Sequence, residues 1–408
     1  MQQLVRIQGK PASIITPTVL MLIGVVGVSF LGLGLVMPLR SLYGRQIGGS
    51  STEIGLMTAS YLLAGFLALP MIGLLANRFG TKKILWGGLV LHALLMLAYI
   101  PVQNPVLLIG LRALEGIASA SVLPTTRALM NTIAPKARQG EALGMLSAAQ
   151  TTGILVGPAV GTVLASQVGY TPSFLIASVP LALAAGVSML YLPAQGKQNG
   201  NSSEASHSAL TGAFTCPLLL AYSLQTVFMI TNGVLMAIWS LYMLDHGASL
   251  PLIGLSYTTY ALPVIALAPL AGRFSDRHGR YWLFLLGLSL TGVIYCMYGL
   301  PSLTAWPLVF ISLLEGLAAA FARGSLDGFL ADVLPAHLKG KVQANFSAAG
   351  FLGSLLGATA AGLFYGFLPG LPFLIEGLIC LGACFVLLLP GSARWFHSGT
   401  REATDDEQ

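Results

Sequence analysis

Three ionisable residues stand inside long apolar stretches, where a charge is costly and usually functional. Arg112 and Glu115 lie in L-I-G-L-R-A-L-E-G-I, three positions apart and so on one helix face. Glu315 lies in S-L-L-E-G-L-A-A-A, with no basic residue three or four positions away. A helix starting near residue 104 and rising 1.5 Å per residue puts Glu115 roughly 16 Å deep, about the middle of a bilayer. Glu315 falls at the matching depth of its own helix. A carboxyl group there can gain and lose a proton during a transport cycle, and a substrate cation can compete with that proton. Arg112 would tune Glu115, or the two would form a static ion pair.

A second set of residues suits binding. Gln225, Met229, Asn232, Met236 and Trp239 recur at spacings of four, three, four and three, which places them on one helix face. Amides beside Met and Trp suit a broad amphipathic ligand, and equally suit helix–helix packing. Tyr61, Gln150, Tyr257, Tyr260 and Phe346 are weaker candidates for the same cavity. His92, His246, His278 and His337 make no cluster, and Cys216, Cys296, Cys380 and Cys384 are expected to be small packing residues, so no metal site follows. Without a P-loop, ATP does not drive the protein directly. Nothing resembles a nucleophile triad, so neither an enzyme nor a cofactor is expected.

The elements that must position these residues are membrane helices. Of 408 residues, 55% are hydrophobic and 8% charged, and mean hydropathy is +0.80. An ordinary soluble domain is about 25% charged. Such a chain is no soluble enzyme, disordered segment or nucleic-acid module, despite its net charge of +6. Its apolar runs are continuous rather than alternating, which excludes an outer-membrane barrel. Twelve spans are predicted, at 14–39, 53–76, 83–101, 104–131, 141–166, 170–192, 216–244, 249–272, 281–300, 304–332, 341–366 and 369–391. The first is too long for a signal-peptide core, and no clear cleavage site follows it.

Lys and Arg set the orientation. With the N-terminus inside, sixteen fall on the cytoplasmic side and two, Arg40 and Arg45, outside, while Arg112 and Arg323 lie within helices. Both termini are therefore expected in the cytoplasm, in a bacterial inner or plasma membrane. Arg323 and Asp327 lie four apart near the inner end of the tenth span, and Arg127 stands opposite Asp327 between the halves. Either an inner gate of Arg127 with Asp327 or a local pair of Arg323 with Asp327 is expected. Glu376, near the outer end of the last span, reads as interfacial.

The halves repeat at an offset of about 200 residues. E-G-I-A-S-A at Glu115 recurs as E-G-L-A-A-A at Glu315, and G-L-L-A-N-R-F-G at Gly73 recurs as G-R-F-S-D-R-H-G at Gly272. The expected organisation is an N-terminal half, 1–192, a linker, 193–215, a C-terminal half, 216–392, and a tail, 393–408. Such a repeat is a transporter signature, with the substrate site near the midplane between halves.

Three motifs make the resemblance specific. The loop G-L-L-A-N-R-F-G-T-K-K, from Gly73 to Lys83, resembles the signature loop of the major facilitator superfamily. Arg112 and its neighbours resemble that family's intramembrane arginine motif. G-I-L-V-G-P-A-V-G, holding Gly153, Gly157, Pro158 and Gly161, resembles the antiporter motif of its proton-driven drug exporters. The resemblance covers the whole chain and implies an all-α fold of twelve transmembrane helices in two pseudo-symmetric six-helix halves. It also implies that the seventh span lines a central cavity and that the antiporter glycines form a tight seam. Arg78, and in the second half Asp276 and Arg277, would latch helix ends at the inner membrane edge.

Departures from the pattern bear on mechanism. Asn77 replaces the usual Asp of the signature loop, which the second half keeps as Asp276. Thr162 follows Gly161 where the motif has a second glycine. The first span has no acid before Arg40, so a proton carrier must sit elsewhere. The expectation is proton-coupled efflux of small amphipathic or cationic molecules by alternating access, with Glu115 and Glu315 carrying the proton. Gln225, Asn232 and Trp239 would contact substrate. The partners are the substrate, protons and the lipid bilayer, the state is a monomer, and no nucleic acid or metal is expected. The alternatives are an exporter of one endogenous metabolite, such as a metallophore or sugar, and a non-transporting receptor or scramblase.

Overall fold

The computed structural model describes residues 16–193, 214–301, 303–335 and 338–389. Among them twelve helical segments are long and apolar enough to cross a membrane, so the chain is a multi-pass membrane protein. The expected linker, 193–215, and tail, 393–408, lie almost wholly outside the described residues, as does His337.

The first crossing is broken. α1 (Pro17–Leu35) stops before Pro38, and α2 (Leu39–Gln46) resumes after a turn. Proline has no N–H to continue the ladder, so the break falls where the sequence dictates it. The remaining spans are single helices: α3 (Ser51–Phe79), α4 (Thr81–Ala98), α5 (Pro105–Ile133), α6 (Gln139–Val168) and α7 (Tyr170–Tyr191) in the first half. The second half holds α8 (Cys216–Asp245), α9 (Leu250–His278), α10 (Arg280–Tyr298), α11 (Ala305–Val333), α12 (Lys339–Tyr365) and α13 (Leu371–Leu388).

Local chemistry sets the ends. Ser50 and Glu53 form a reciprocal capping box at the start of α3. Asn104 caps α5, with Pro105 in its first turn. Gly80 and Gly279, at matching places in the two halves, adopt φ of 93° and 92° between α3 and α4 and between α9 and α10. A side chain is strained in that conformation, so glycine is what lets these helices follow one another with no loop.

Within each half the most extensive packing joins α3 to α5, α1 to α6, α8 to α12 and α9 to α11. Between halves, α3 packs on α12 and α6 on α9. Hydrogen bonds between the halves cluster at the end away from the start of α1. Arg45 pairs with Asp245 at 3.0 Å, and within the second half Tyr365 donates to the same carboxylate at 2.7 Å. Nearer the middle of α6, Thr258 donates to the Leu155 carbonyl at 3.3 Å. At that end a Cβ on Gly55 would lie 2.5 Å from the Gly362 Cα, so the two backbones nearly touch. At the other end, a Cβ on Gly73, Gly144, Gly272 or Gly340 would meet nothing within 4 Å.

The antiporter-motif glycines do form a seam. A Cβ on Gly157 would stand 2.5 Å from the Gly34 Cα, and one on Gly153 would stand 2.6 Å from the Leu31 nitrogen. No side chain fits between α6 and α1 there. Thr162, the departure from the motif, is accommodated from the opposite half. Its hydroxyl occupies the space where a Cβ on Gly254 of α9 would go, and it donates to the Pro158 carbonyl at 2.9 Å.

Candidate functional site

Glu115 of α5 is fully buried, and each of its oxygens has two partners. Oε1 accepts from Arg40 Nη2 and lies 3.1 Å from His92 Nε2. Oε2 accepts from the Tyr99 hydroxyl at 2.9 Å and from Arg112 Nη1 at 2.8 Å. The four partners come from α2, α4 and α5 and from the residue capping α4. The Tyr99 ring stacks on Phe174 at 4.8 Å, and the Arg112 guanidinium lies over the Tyr61 ring, 4.2 Å from its centroid.

Glu315 of α11 occupies the repeat-related position in a different setting. Its Oε2 accepts from the Tyr298 hydroxyl at 2.9 Å, and no ion pair to it exists among the described residues. The scaffold is otherwise shared. Tyr43 donates to the Tyr99 carbonyl as Tyr242 donates to that of Tyr298. In this frame Trp239 takes the place of Arg40, Ser312 that of Arg112 and Thr291 that of His92. The two halves hold the same acid on the same tyrosine, and only the first surrounds it with cationic side chains. Around Glu315 stand aromatic rings: Trp239 and Tyr298 are 5.0 Å apart, and Phe373 lies 5.6 Å from Tyr298.

Both acids face the middle of the molecule. A cavity of about 290 Å³ is lined by Arg40, Tyr61, Arg112, Glu115, Ser119 and Asn232, with Met and Ile side chains between. A second, of about 170 Å³, is lined by Asn232, Trp239, Tyr257, Tyr260 and Glu315. They meet at Met37, Ile154, Asn232 and Met236, which belong to both. Several polar groups are already held. Trp239 Nε1 donates to Ser256 Oγ at 2.9 Å, Tyr257 and Ser240 hydroxyls lie 3.0 Å apart, and Tyr61 and Ser119 hydroxyls 2.9 Å apart.

The predicted residues divide accordingly. Glu115, Arg112, Glu315, Asn232, Trp239, Tyr61 and Tyr257 line the central cavities. Gln225 does not. It is buried between α8 and α12, near Gly350, and its Oε1 has no hydrogen-bond partner. Gln150 is half-buried and lines neither cavity, and Phe346 is packed in the core. In this conformer Asp327 pairs with Arg323 at 3.3 Å, while Arg127, Arg78 and Arg277 are exposed. Asp276 pairs with Arg280 at 3.2 Å, and Arg280 also reaches Asp332 at 2.8 Å. The first half has Asn77 and Thr81 at these positions and lacks the counterpart of that bridge.

Four expectations need correction. Arg40 is not an outer-loop cation. It sits on the inward register of the first crossing, the place Trp239 holds in the second half, and is buried against Glu115. His92 does join a cluster, because α4 packs on α5 and brings it to Glu115. Glu376 is not interfacial but buried, 3.4 Å from Cys380 Sγ on its own helix. Cys216 is exposed rather than packed. One signal for Arg40 was available. Three residues after it comes Tyr43, and three after Trp239 comes Tyr242, so repeat alignment places Arg40 on the cavity-lining register.

A family model described as the Major Facilitator Superfamily matches residues 22–230 and 221–404. The chain is 27% identical over 355 residues to a multi-drug resistance efflux pump PmrA homolog of Lactococcus lactis, covering 84% of this chain and 86% of the relative. It is 29% identical over 274 residues to the multidrug resistance protein MdtG of Proteus mirabilis, covering 64% and 67%. It is 24% identical over 341 residues to an uncharacterized MFS-type transporter of Methanocaldococcus jannaschii, covering 82% and 87%. In fold it is similar to the crystal structure of the nucleoside transporter NupG, with a TM-score of 0.71 at 13% identity over 95% of this chain and 100% of that one.

Proposed function

The chain belongs to the major facilitator superfamily of membrane transporters, and from that premise we propose that it exports small amphipathic molecules in exchange for protons. The likeness to the Lactococcus and Proteus multidrug proteins supports efflux rather than uptake. The contrast between the two acids supports the coupling and divides their roles. Glu115, held by Arg40 and Arg112, is the fixed anion of a static cluster. Glu315, with a tyrosine hydroxyl and aromatic neighbours but no cation, is the group that takes up and releases the proton. This single observation, an uncompensated buried acid on the wall of the central cavity, carries the assignment.

Orientation follows the loop cations. With Arg40 moved into the bundle, Arg45 alone of the loop cations stands opposite the sixteen assigned to the side of the termini, so that side is cytoplasmic. The conformer is then closed at the outer face, by Arg45, Asp245 and Tyr365 together with the Gly55–Gly362 contact. Opening that face and closing the inner one, where Arg78, Arg127 and Arg277 are exposed, completes alternating access.

The test is lumenal pH in everted, respiring membrane vesicles while amphipathic dyes and antibiotics are added one at a time. Wild-type protein is expected to discharge the gradient on substrate addition. Glu315→Gln is expected to abolish the discharge at unchanged membrane abundance, and full proton-driven activity in that variant refutes the assignment.

A further inference from the structure

The charge on the cavity wall names a substrate class. Arg40 and Arg112 both line the 290 Å³ cavity, and the one acid on that wall, Glu115, is bonded to both. Two guanidiniums, which do not deprotonate in proteins, face one carboxyl group, so the wall holds a surplus of at least one positive charge whatever the state of His92. Arg40 is 8% exposed, and its Nε has no hydrogen-bond partner among the described residues. A buried guanidinium N–H left unpaired is costly and is rarely left without an acceptor.

We propose that this wall is an anion subsite, and that the transported molecules include amphipathic organic anions whose carboxylate docks on Arg40 and Arg112. The rest of such a molecule has a place. Beyond Asn232 and Met236 the cavity continues toward Trp239 and Tyr257, a lining of rings and thioethers suited to an apolar or aromatic body. The Arg112 guanidinium lies over the Tyr61 ring and gives Glu115 one N–H, from Nη1, of the five it carries. The cationic substrates expected from the sequence fit this wall poorly, because the surplus charge repels them in a setting where water screens little.

The inference rests on the central cavity being the transport site, and it carries a further consequence. Export of a monovalent anion against entry of one proton moves two charges inward per cycle, so transport is electrogenic. Export of a monovalent cation for one proton is electroneutral.

The experiment uses the purified full-length chain in detergent and three matched probes: 1-naphthaleneacetic acid, its methyl ester and 2-(1-naphthyl)ethylamine. Calorimetric titration at low ionic strength is expected to show the acid binding at least about tenfold more tightly than the ester or the amine. Arg40→Gln is expected to remove about tenfold from the acid and to leave the ester within about twofold. Equal or tighter binding of the ester or amine by the wild type, no binding of the acid, or an equal loss for all three probes in Arg40→Gln overturns the proposal. The wild-type ranking decides the matter even where the variant fails to fold. Glu315-dependent discharge of the proton gradient by the amine, without binding of the acid, overturns the anion subsite and leaves the exporter standing. Tight acid binding with no proton flux for any probe keeps the subsite and removes the proton coupling.

Discussion

Replacing each buried acid by its own amide separates the two halves energetically. Each Glu115 oxygen accepts from two donors, one of them a guanidinium: Arg40 and His92 at Oε1, Tyr99 and Arg112 at Oε2. Glutamine replaces one oxygen by NH₂. In either amide orientation that NH₂ faces an arginine, a residue with no acceptor to offer. The side chain also loses the charge that compensates Arg40 and Arg112. Breaking a buried ion pair by removing one partner costs about 3–5 kcal/mol. Glu315→Gln is milder. The amide oxygen can take the place of Oε2 and keep the Tyr298 bond, so the loss is at most about 1 kcal/mol. The expected gap between the two substitutions is therefore about 2–5 kcal/mol. Unfolding titrations in mixed micelles, run on both variants and the wild type, measure it. Equal destabilisation by the two amides refutes the claim that Glu115 is a structural anion and Glu315 is not. So does a larger loss at Glu315.

Two further perturbations test the packing and the outer closure. Gly254→Ala is expected to destabilise by about 1–3 kcal/mol, because the new methyl meets the Thr162 hydroxyl and, at 2.9 Å, the backbone of Pro158 and Ala159; Thr162→Gly in the same chain should restore the part due to the hydroxyl, and two independent, additive losses in the double-mutant cycle contradict the contact. Asp245→Asn removes the anion shared by Arg45 and Tyr365, a partly exposed pair worth about 0.2–1 kcal/mol, and should raise the outward-open population about 1.4- to fivefold in spin-label distances across the outer face; an unchanged distance distribution excludes the pair from the closure.

Much of this protein was legible in one dimension. Bilayer thickness converts apolar run length into helix count, so twelve spans followed from composition and run length, while the transporter fold came from the internal repeat and the motif resemblance. The repeat was legible because E-G-I-A-S-A and E-G-L-A-A-A occupy matching places. Arg112 and Glu115 were legible as a pair because three residues along a helix is a local distance. The seam at Gly153, Gly157 and Gly161 was visible as small residues four apart, although its partner, Gly34, was not.

The distinction between the two acids belonged to the tertiary structure. Arg40 is 75 residues from Glu115 and His92 is 23 residues away; His92 reaches it because α4 packs on α5, and Arg40 because its side chain extends to it from α2. A charge beyond the first apolar run reads as a loop cation until the packed bundle buries it against Glu115. The stripe on the seventh span failed in part for the same reason. Helical spacing puts Gln225, Asn232 and Trp239 on one face, but α12 covers the first of them and leaves only the other two on the cavity. Local periodicity states which residues share a face. What that face meets depends on neighbours far away in sequence, and in a low-dielectric interior the identity of those neighbours decides whether a carboxyl group is locked in an ion pair or left able to exchange its proton.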